Sequence, residues 1–398
     1  MPKPTSDRRA TERKHPWPMV RLGDVCEIIT GQSPEGSYYT DESCYTEFHQ
    51  GSKSFGAREL QVSGVYTKKE TKIAKPGSLL ISVRAPVGDL NITTRRVCIG
   101  RGLAALIPDD SISRDFLWLF LTSATKAVND AAGAGSCFSS LSRSQLSGLE
   151  IPLPPLSVQR EIVARLEREL AAVEKMKKGF EALAETAKAE FKAELKEVFE
   201  EISRGGAETR RLGEVCELIK DGEHKTPRRV ETYCGYYLLS ARNVKDDNLS
   251  LEDVDYVDKE EFDRIARRCR PIAGDVLISC SGSVGRVCVA GDASYVMVRS
   301  AAMVRASRFD SRFLMFMLQS DLLQKQIAKL QRQAAQANLF LGAIAELNVF
   351  VPPLSAQREV VARLDGAKAK AEKLEAKARE GVAVCETMRK AILKEAFE

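Results

Sequence analysis

The chain has 398 residues, of which 44% are hydrophobic and 29% charged, a globular composition with apolar content for two or three cores rather than one. Disorder and membrane residence are excluded on that balance, and the net charge of +5 neither demands nor excludes a polyanionic partner. Ten cysteines at irregular spacings, with no C-x-x-C, signal neither a zinc knuckle nor a disulfide framework; reduced thiols of a cytoplasmic protein are expected.

In chain order, residues 1–16 read as a disordered basic tail: no apolar stretch suits a secretory signal, and Pro16 and Pro18 oppose helix. Residues 17–153 are of mixed character. Short β-branched runs such as Ser78–Val83 and Arg96–Gly100 read as strands, and Phe116–Leu121 opens an amphipathic helix too short for the roughly 18 residues that span a bilayer. Residues 154–204 form a long helix. Leu166, Leu170, Val173, Met176, Phe180, Leu183, Ala187, Phe191, Leu195, Val198 and Ile202 recur at threes and fours and build one apolar seam. Ser157 is the expected N-cap, after Pro155 has barred helix upstream.

The same programme then runs again. Residues 205–351 are mixed, with strands at Val276–Ser279 and Gly285–Ala290 and a helix opened by Phe313–Leu318; residues 352–398 are a second long helix with Ser355 as its expected N-cap. Pro154–Leu166 returns as Pro352–Leu364 at an offset of 198, with eleven of thirteen positions identical, and Arg21–Glu27 returns as Arg211–Glu217. The fold class expected is α+β: two pseudo-symmetric mixed α/β domains joined by two long antiparallel helices that form a coiled coil. Residues 154–204 carry ten basic and eleven acidic side chains, so that helix is no DNA-wrapping arm, and its single seam needs the other helix as partner.

Catalytic signatures are missing. The dipeptide Gly-Lys of a phosphate-binding loop does not occur, and His15, His49 and His224 lie in unrelated contexts. Both Pro-Pro pairs sit in Leu-Pro-Pro-Leu or Val-Pro-Pro-Leu rather than the Asn/Asp-Pro-Pro-aromatic of an amino-methyltransferase. No catalytic residue, metal ligand or directly bound cofactor is expected.

The loops between the repeated elements diverge, and their residues suit contact with bases and phosphates. In the first domain the candidates are Gln32, Ser33, Arg84, Arg101, Ser136 and Arg143; in the second they are Lys225, Thr226, Arg242, Asn243, Ser283, Arg286, Arg332, Gln336 and Asn338, with His224 and Arg299 nearby. Arg forks onto guanine, Gln and Asn onto adenine, and Ser, Lys and backbone amides hold phosphate. The structural alternative is that Arg101 and Arg299 brace the frame, that the two Phe runs are core, and that Arg264–Arg268 is a solvated face.

From Arg21 to Glu398 the chain resembles the specificity subunit of type I restriction-modification systems. The resemblance rests on Ile151–Glu161, on its copy Val351–Glu359, and on Gln336-Ala-Asn-Leu339. Val158 and Ala356 replace the family's usual Glu, and Gly135–Ser140 stands where a Gln-Ala-Asn stretch would be. The resemblance implies that each mixed segment is a target recognition domain reading one half of a bipartite duplex-DNA target, with the paired helices setting the gap. It also implies two modification subunits, which methylate adenine with S-adenosylmethionine, and restriction subunits that use ATP and Mg. The alternative is a coiled-coil adaptor whose two domains bind proteins.

Overall fold

The structure, a computed structural model, describes residues 17–124, 140–333 and 338–397; the expected tail 1–16 and the candidates Ser136 and Gln336 lie outside them. Two units are distinguished: residues up to 180 together with those from 380 onward, and residues 181–379.

In the first unit the strand Met19–Arg21 pairs antiparallel with Glu150–Pro152, which ties the two ends of the mixed segment together ahead of the long helix. Leu22 is fully buried and its backbone N donates to Leu149 O at 2.8 Å. The second unit repeats this, with Thr209–Arg211 on Asn348–Phe350 and Leu212 N donating to Leu347 O at 2.8 Å. The glycine of each Arg-Leu-Gly opening follows from this closeness. A Cβ at Gly23 would stand 1.9 Å from Ser147 Oγ, and one at Gly213 would stand 2.9 Å from Ala345 Cβ.

Both units are built on a four-stranded antiparallel sheet of one topology. Across the first it runs Cys26–Thr30, Leu103–Pro108, Leu79–Ser82, Leu90–Ile92; across the second, Cys216–Asp221, Ala301–Ala306, Val276–Ser279, Val287–Val289. The inner strands Leu79–Ser82 and Val276–Ser279 are buried along their whole length, because a helix packs on one face and a second sheet on the other. Helix Arg114–Ser123 is capped by Ser113, and helix Ser311–Gln319 by Asp310. Their Phe116, Phe313 and Phe316 are at most 1% exposed, each stabilising its core by about 1.5–3 kcal/mol. The Phe runs are core.

The second sheets differ. The first unit has five strands, Tyr39–Thr40, Tyr66–Thr67, Thr46–His49, Val97–Ile99 and Ile73–Ala74; the second has three, Asp255–Tyr256, Tyr237–Leu239 and Tyr295–Met297, with helix Lys259–Ala266 packed beside them.

The long helices are Leu156–Arg204 and Leu354–Phe397, 49 and 44 residues, about 73 and 66 Å at 1.5 Å per residue. Within the first unit Phe180 lies against Gly381, Lys177 Nζ is 3.3 Å from Glu386, and the Phe397 ring meets Phe116 edge-on at 5.4 Å. Within the second, Arg363 bonds Glu194 at 2.5 Å and Glu201 at 2.8 Å, and Lys370 lies 3.5 Å from Glu190. Numbers rise on one helix as they fall on the other, so the pairing is antiparallel, as expected. Leu364, Ala371, Ala378 and Cys385, seven residues apart, are buried, whereas Met176 and Leu183 are 43% and 36% exposed. A two-helix contact covers one narrow stripe, and the expected seam is wider than that stripe.

Ser157 and Ser355 are not caps. The helices begin one residue before each, and the Pro155 and Pro353 carbonyls accept from Gln159 N and Gln357 N at 3.0 Å. The two glutamines explain the repeated motif better. Gln159 is fully buried; its Oε1 accepts from Ser113 N at 2.8 Å, and its Nε2 donates to Ser111 O and Pro154 O at 2.9 and 2.8 Å. Gln357 makes the matching set with Asp310 N, Arg308 O and Pro352 O at 2.8, 3.0 and 2.8 Å. Each one pins its long helix to the loop that precedes the core helix.

Candidate nucleic-acid interface

Four segments distant in sequence meet at one edge of each central sheet. In the first unit Gly31 N donates to Leu103 O (2.9 Å), Gln32 N to Ile99 O (2.9 Å), Val83 N to Gly102 O (2.9 Å) and Leu141 N to Val83 O (2.9 Å). In the second, the same four bonds run from Gly222 to Ala301 (3.3 Å), Glu223 to Met297 (2.7 Å), Cys280 to Ser300 (2.8 Å) and Leu339 to Cys280 (2.9 Å). This one bonding scheme makes Ser33 equivalent to His224, Arg84 to Ser281, Arg101 to Arg299, and Ser140 to Asn338.

The first rim unites most of the candidates expected there. Ser33 Oγ donates to Gln50 Oε1 at 2.7 Å and accepts from Arg101 N at 3.4 Å. Arg84 forms an isolated antiparallel bridge with Ser140, and Arg143 opens the short helix Arg143–Ser147 just beyond it. Gln32, Arg84, Arg101 and Arg143 are all exposed. Ser33 and Arg101 border a cavity of about 760 Å³ whose walls include Tyr39, Phe48, Gln50 and Gln61. His49 and Ser54 also line it, with His49 Nδ1 2.6 Å from Ser54 Oγ; His49 lies 3.1 Å from the Glu47 carboxylate, which Arg95 bonds at 2.6 Å. Burial pushes the His49 pKa down against the pull of Glu47, so the ring is neutral at pH 7.

In the second unit Asn338 shares a cavity of about 310 Å³ with Asp221, His224, Ser281 and Arg299. Lys225 and Thr226 are exposed beside His224, and the Lys225 N donates to Glu223 at 2.9 Å. Ser283 is exposed; its carbonyl accepts from Ser279 Oγ at 2.6 Å, while Arg286 N donates to that same Oγ at 2.9 Å, so the two residues hold their loop through the backbone. Arg242 is ion-paired with Asp255 at 3.0 Å and Asp253 at 3.6 Å. Arg332 belongs to helix Asp321–Gln333.

Asn243 is a correction. It is 1% exposed; its Oδ1 accepts from Ser240 N and Oγ at 2.9 and 3.1 Å, and its Nδ2 donates to Ser250 O and Asp253 O at 3.2 and 3.1 Å. Its amide is spent on shaping a loop, and nothing remains to offer a base.

The Arg264–Arg268 run is also more than a solvated face. Arg268 bonds Asp221 at 2.8 Å, and Arg264 bonds Glu223 and Glu261 at 2.8 Å each. The Arg264 bond holds the Glu261 carboxyl down at about 2. For Asp221, burial pushes the pKa up, but bonds from His224 and Arg268 outweigh it and hold the carboxylate ionised. Left unpaired, acids on this rim would repel a polyanion.

Among the described residues no group of three or more His, Cys, Asp or Glu is placed to hold a metal ion. No described helix is long and apolar enough to cross a membrane.

The family described as type I restriction modification DNA specificity domain matches residues 14–180 and again residues 205–382. The chain belongs to this family. The resemblance seen in the Pro-Pro-Leu-Ser motifs is borne out, and each copy of the repeat is one specificity domain. A putative type I restriction enzyme MjaX specificity subunit of Methanocaldococcus jannaschii is 38% identical over 154 residues, which is 38% of this chain and 36% of the relative. The HindI specificity subunit of Haemophilus influenzae is 30% identical over 169 residues, 39% of this chain and 36% of that one. These matches therefore span about a third of the relatives' length. Among solved structures, a chain described under complex assembly and conformational transition of the type I R-M system aligns with a TM-score of 0.73 at 20% identity over 96% of this chain and 97% of that one. The HsdS subunit from Thermoanaerobacter tengcongensis aligns with a TM-score of 0.55 at 20% identity over 96% of each. Both likenesses extend the two-domain, two-helix fold.

Sequence reasoning missed three contributors to the specificity-domain rims: Gln50, Arg268 and Phe340. Gln50 carries no pattern and Arg268 shows only as part of a charge run, because tertiary bonds alone bring them to Ser33 and Asp221. Phe340, 45% exposed and lining the second cavity, had a signal: it stands 198 residues after Ser142, the offset of the repeated helix turn.

Proposed function

We propose that this chain is the sequence-specific DNA-binding subunit of a type I restriction-modification complex, each specificity domain reading one half of a bipartite duplex target. The observation that carries this reading is the doubled specificity domain, with one bonding scheme in both copies and different side chains on nearly every rim position. Arg101 and Arg299 are the shared cation, suited to phosphate or guanine, while Ser33 against His224 and Arg84 against Ser281 supply the difference that two unlike half-sites require. The long helices set the gap between half-sites and dock two modification subunits, and restriction subunits complete the assembly. S-adenosylmethionine, ATP and Mg belong to those partners; this chain binds none of them and contributes recognition without catalysis.

The low net charge supports binding that depends on partners closing around the duplex. Mapping modified adenines in a host that expresses the chain with its modification partner tests the reading: two short half-sites at a fixed gap are expected. Adding or removing about one helical turn within residues 170–195 changes the gap and leaves both halves intact. A single uninterrupted target, or none, overturns the proposal.

A further inference from the structure

The position just before the short helix that leads to each Pro-Pro turn is filled in two unlike ways. In the first domain it is Ser142, whose Oγ accepts from Gln145 N at 3.3 Å while Gln145 Oε1 accepts from Ser142 N at 2.9 Å, a reciprocal cap on helix Arg143–Ser147. In the second it is Phe340, ahead of helix Leu341–Ala345, in the same extended backbone conformation (φ −94, ψ 157 against φ −74, ψ 160) with no side-chain bond to the helix. Leu339 just before it and Ile344 four positions after it stay in the core, at 3% and 0% exposure, but Phe340 is 45% exposed. The second domain thus gives up a cap and leaves a phenyl ring in water, and both choices weaken the isolated fold.

The surroundings of the ring indicate what repays this. It borders the cavity that also holds Arg299, His224, Ser281 and Asn338, on the edge where the four loop segments meet. A cation, two small donors and a flat apolar surface together match a nucleotide, whose phosphate is charged and whose base presents a π-face. The first rim has no counterpart at this position, since the Ser142 side chain is engaged in its cap.

We propose that Phe340 is a stacking residue of the second specificity domain, lying against the face of one nucleobase at a partly unstacked step of the second half-site. The proposal rests on the DNA-reading function above and assigns it a contact that hydrogen-bonding side chains cannot supply. Phe340→Ser places a capping residue where the first domain has one, so it raises the melting temperature of the chain, whereas DNA affinity in complex with the modification partner falls about tenfold. Phe340→Trp keeps that affinity. The slope of log affinity against log salt is the same for all three proteins, because no phosphate contact is lost. In a scan of abasic substitutions along the mapped target, one position in the second half-site makes wild type and Phe340→Ser bind equally. If Phe340→Ser binds the intact target as tightly as wild type, or if the equalising abasic position falls in the first half-site, the stacking role is overturned while DNA reading stands. A wild-type complex with no preference for its mapped target removes the DNA reading and this role with it.

Discussion

Two regions of each specificity domain differ in how closely the two copies agree. The central sheet keeps strand order, the paired glycines Gly77 and Gly274 at φ 86 and 89, and the buried Gln159 and Gln357 with the same three bonds each. The outer sheet keeps almost nothing, being five-stranded in one domain and three-stranded with an added helix in the other. A buried polar side chain has only one arrangement that satisfies all its bonds, so the frame tolerates little change. A rim residue that faces solvent or a ligand has no such obligation. The two copies differ where no buried bond fixes the side chain.

This contrast can be broken first at the glutamines. Gln159→Leu and Gln357→Leu each remove three hydrogen bonds to backbone groups, most of them part-buried, and are expected to destabilise their own domain by about 2–3 kcal/mol, read by urea unfolding. Tolerance at either site would show that the two frames are not equivalent. Gly213→Ala and Gly23→Ala come next, at about 1–3 kcal/mol, since each new methyl group overlaps the short helix facing it.

On the rims, Arg101→Ala and Arg299→Ala leave stability unchanged and weaken DNA binding by about tenfold, each reducing the salt slope by about one. Each affects methylation directed by one half-site only; an effect on both would deny the division of labour. Ser142→Ala removes the first domain's cap and costs about 1 kcal/mol, measured by thermal unfolding.

The smallest effect belongs to Glu261. Its folded pKa of about 2 lies below the ordinary value of 4.5, so its bond to Arg264 stabilises the fold fully above pH 4.5, and that gain is lost as pH falls toward 2. The Arg264 side chain is 41% exposed, and solvent screening limits the size of the effect. Glu261→Gln is expected to lower stability modestly at neutral pH, where the wild type keeps the whole of that gain, and to converge with wild type as pH falls toward 2, read by urea unfolding across that window.

Much of the fold was legible in the sequence because its signals are local and repeated. The long helices show as apolar spacing, the frame as a motif that recurs after 198 residues, and the core helices as Phe runs that are indeed buried. The rims were legible only in part. Ser33, Arg84, Arg101 and Arg143 do meet at one edge, but Asn243 had the composition of a base reader and proved to be an internal staple. Residue type cannot tell a free amide from one consumed by carbonyls seven and ten positions away.

By itself, the sequence determined the duplication, the order of elements and the pairing of the long helices, which follow from periodicity and recurrence along one dimension, and its Pro-Pro-Leu-Ser motifs carried the resemblance to the family. Only the tertiary structure decided which loop side chains share a surface, which acids Arg264 and Arg268 neutralise, and which exposed ring lines the second cavity. Those outcomes depend on backbone bonds that close loops across roughly 60 to 80 residues, such as Gln32 to Ile99 and Leu339 to Cys280, and no local pattern encodes where such a closure brings a side chain.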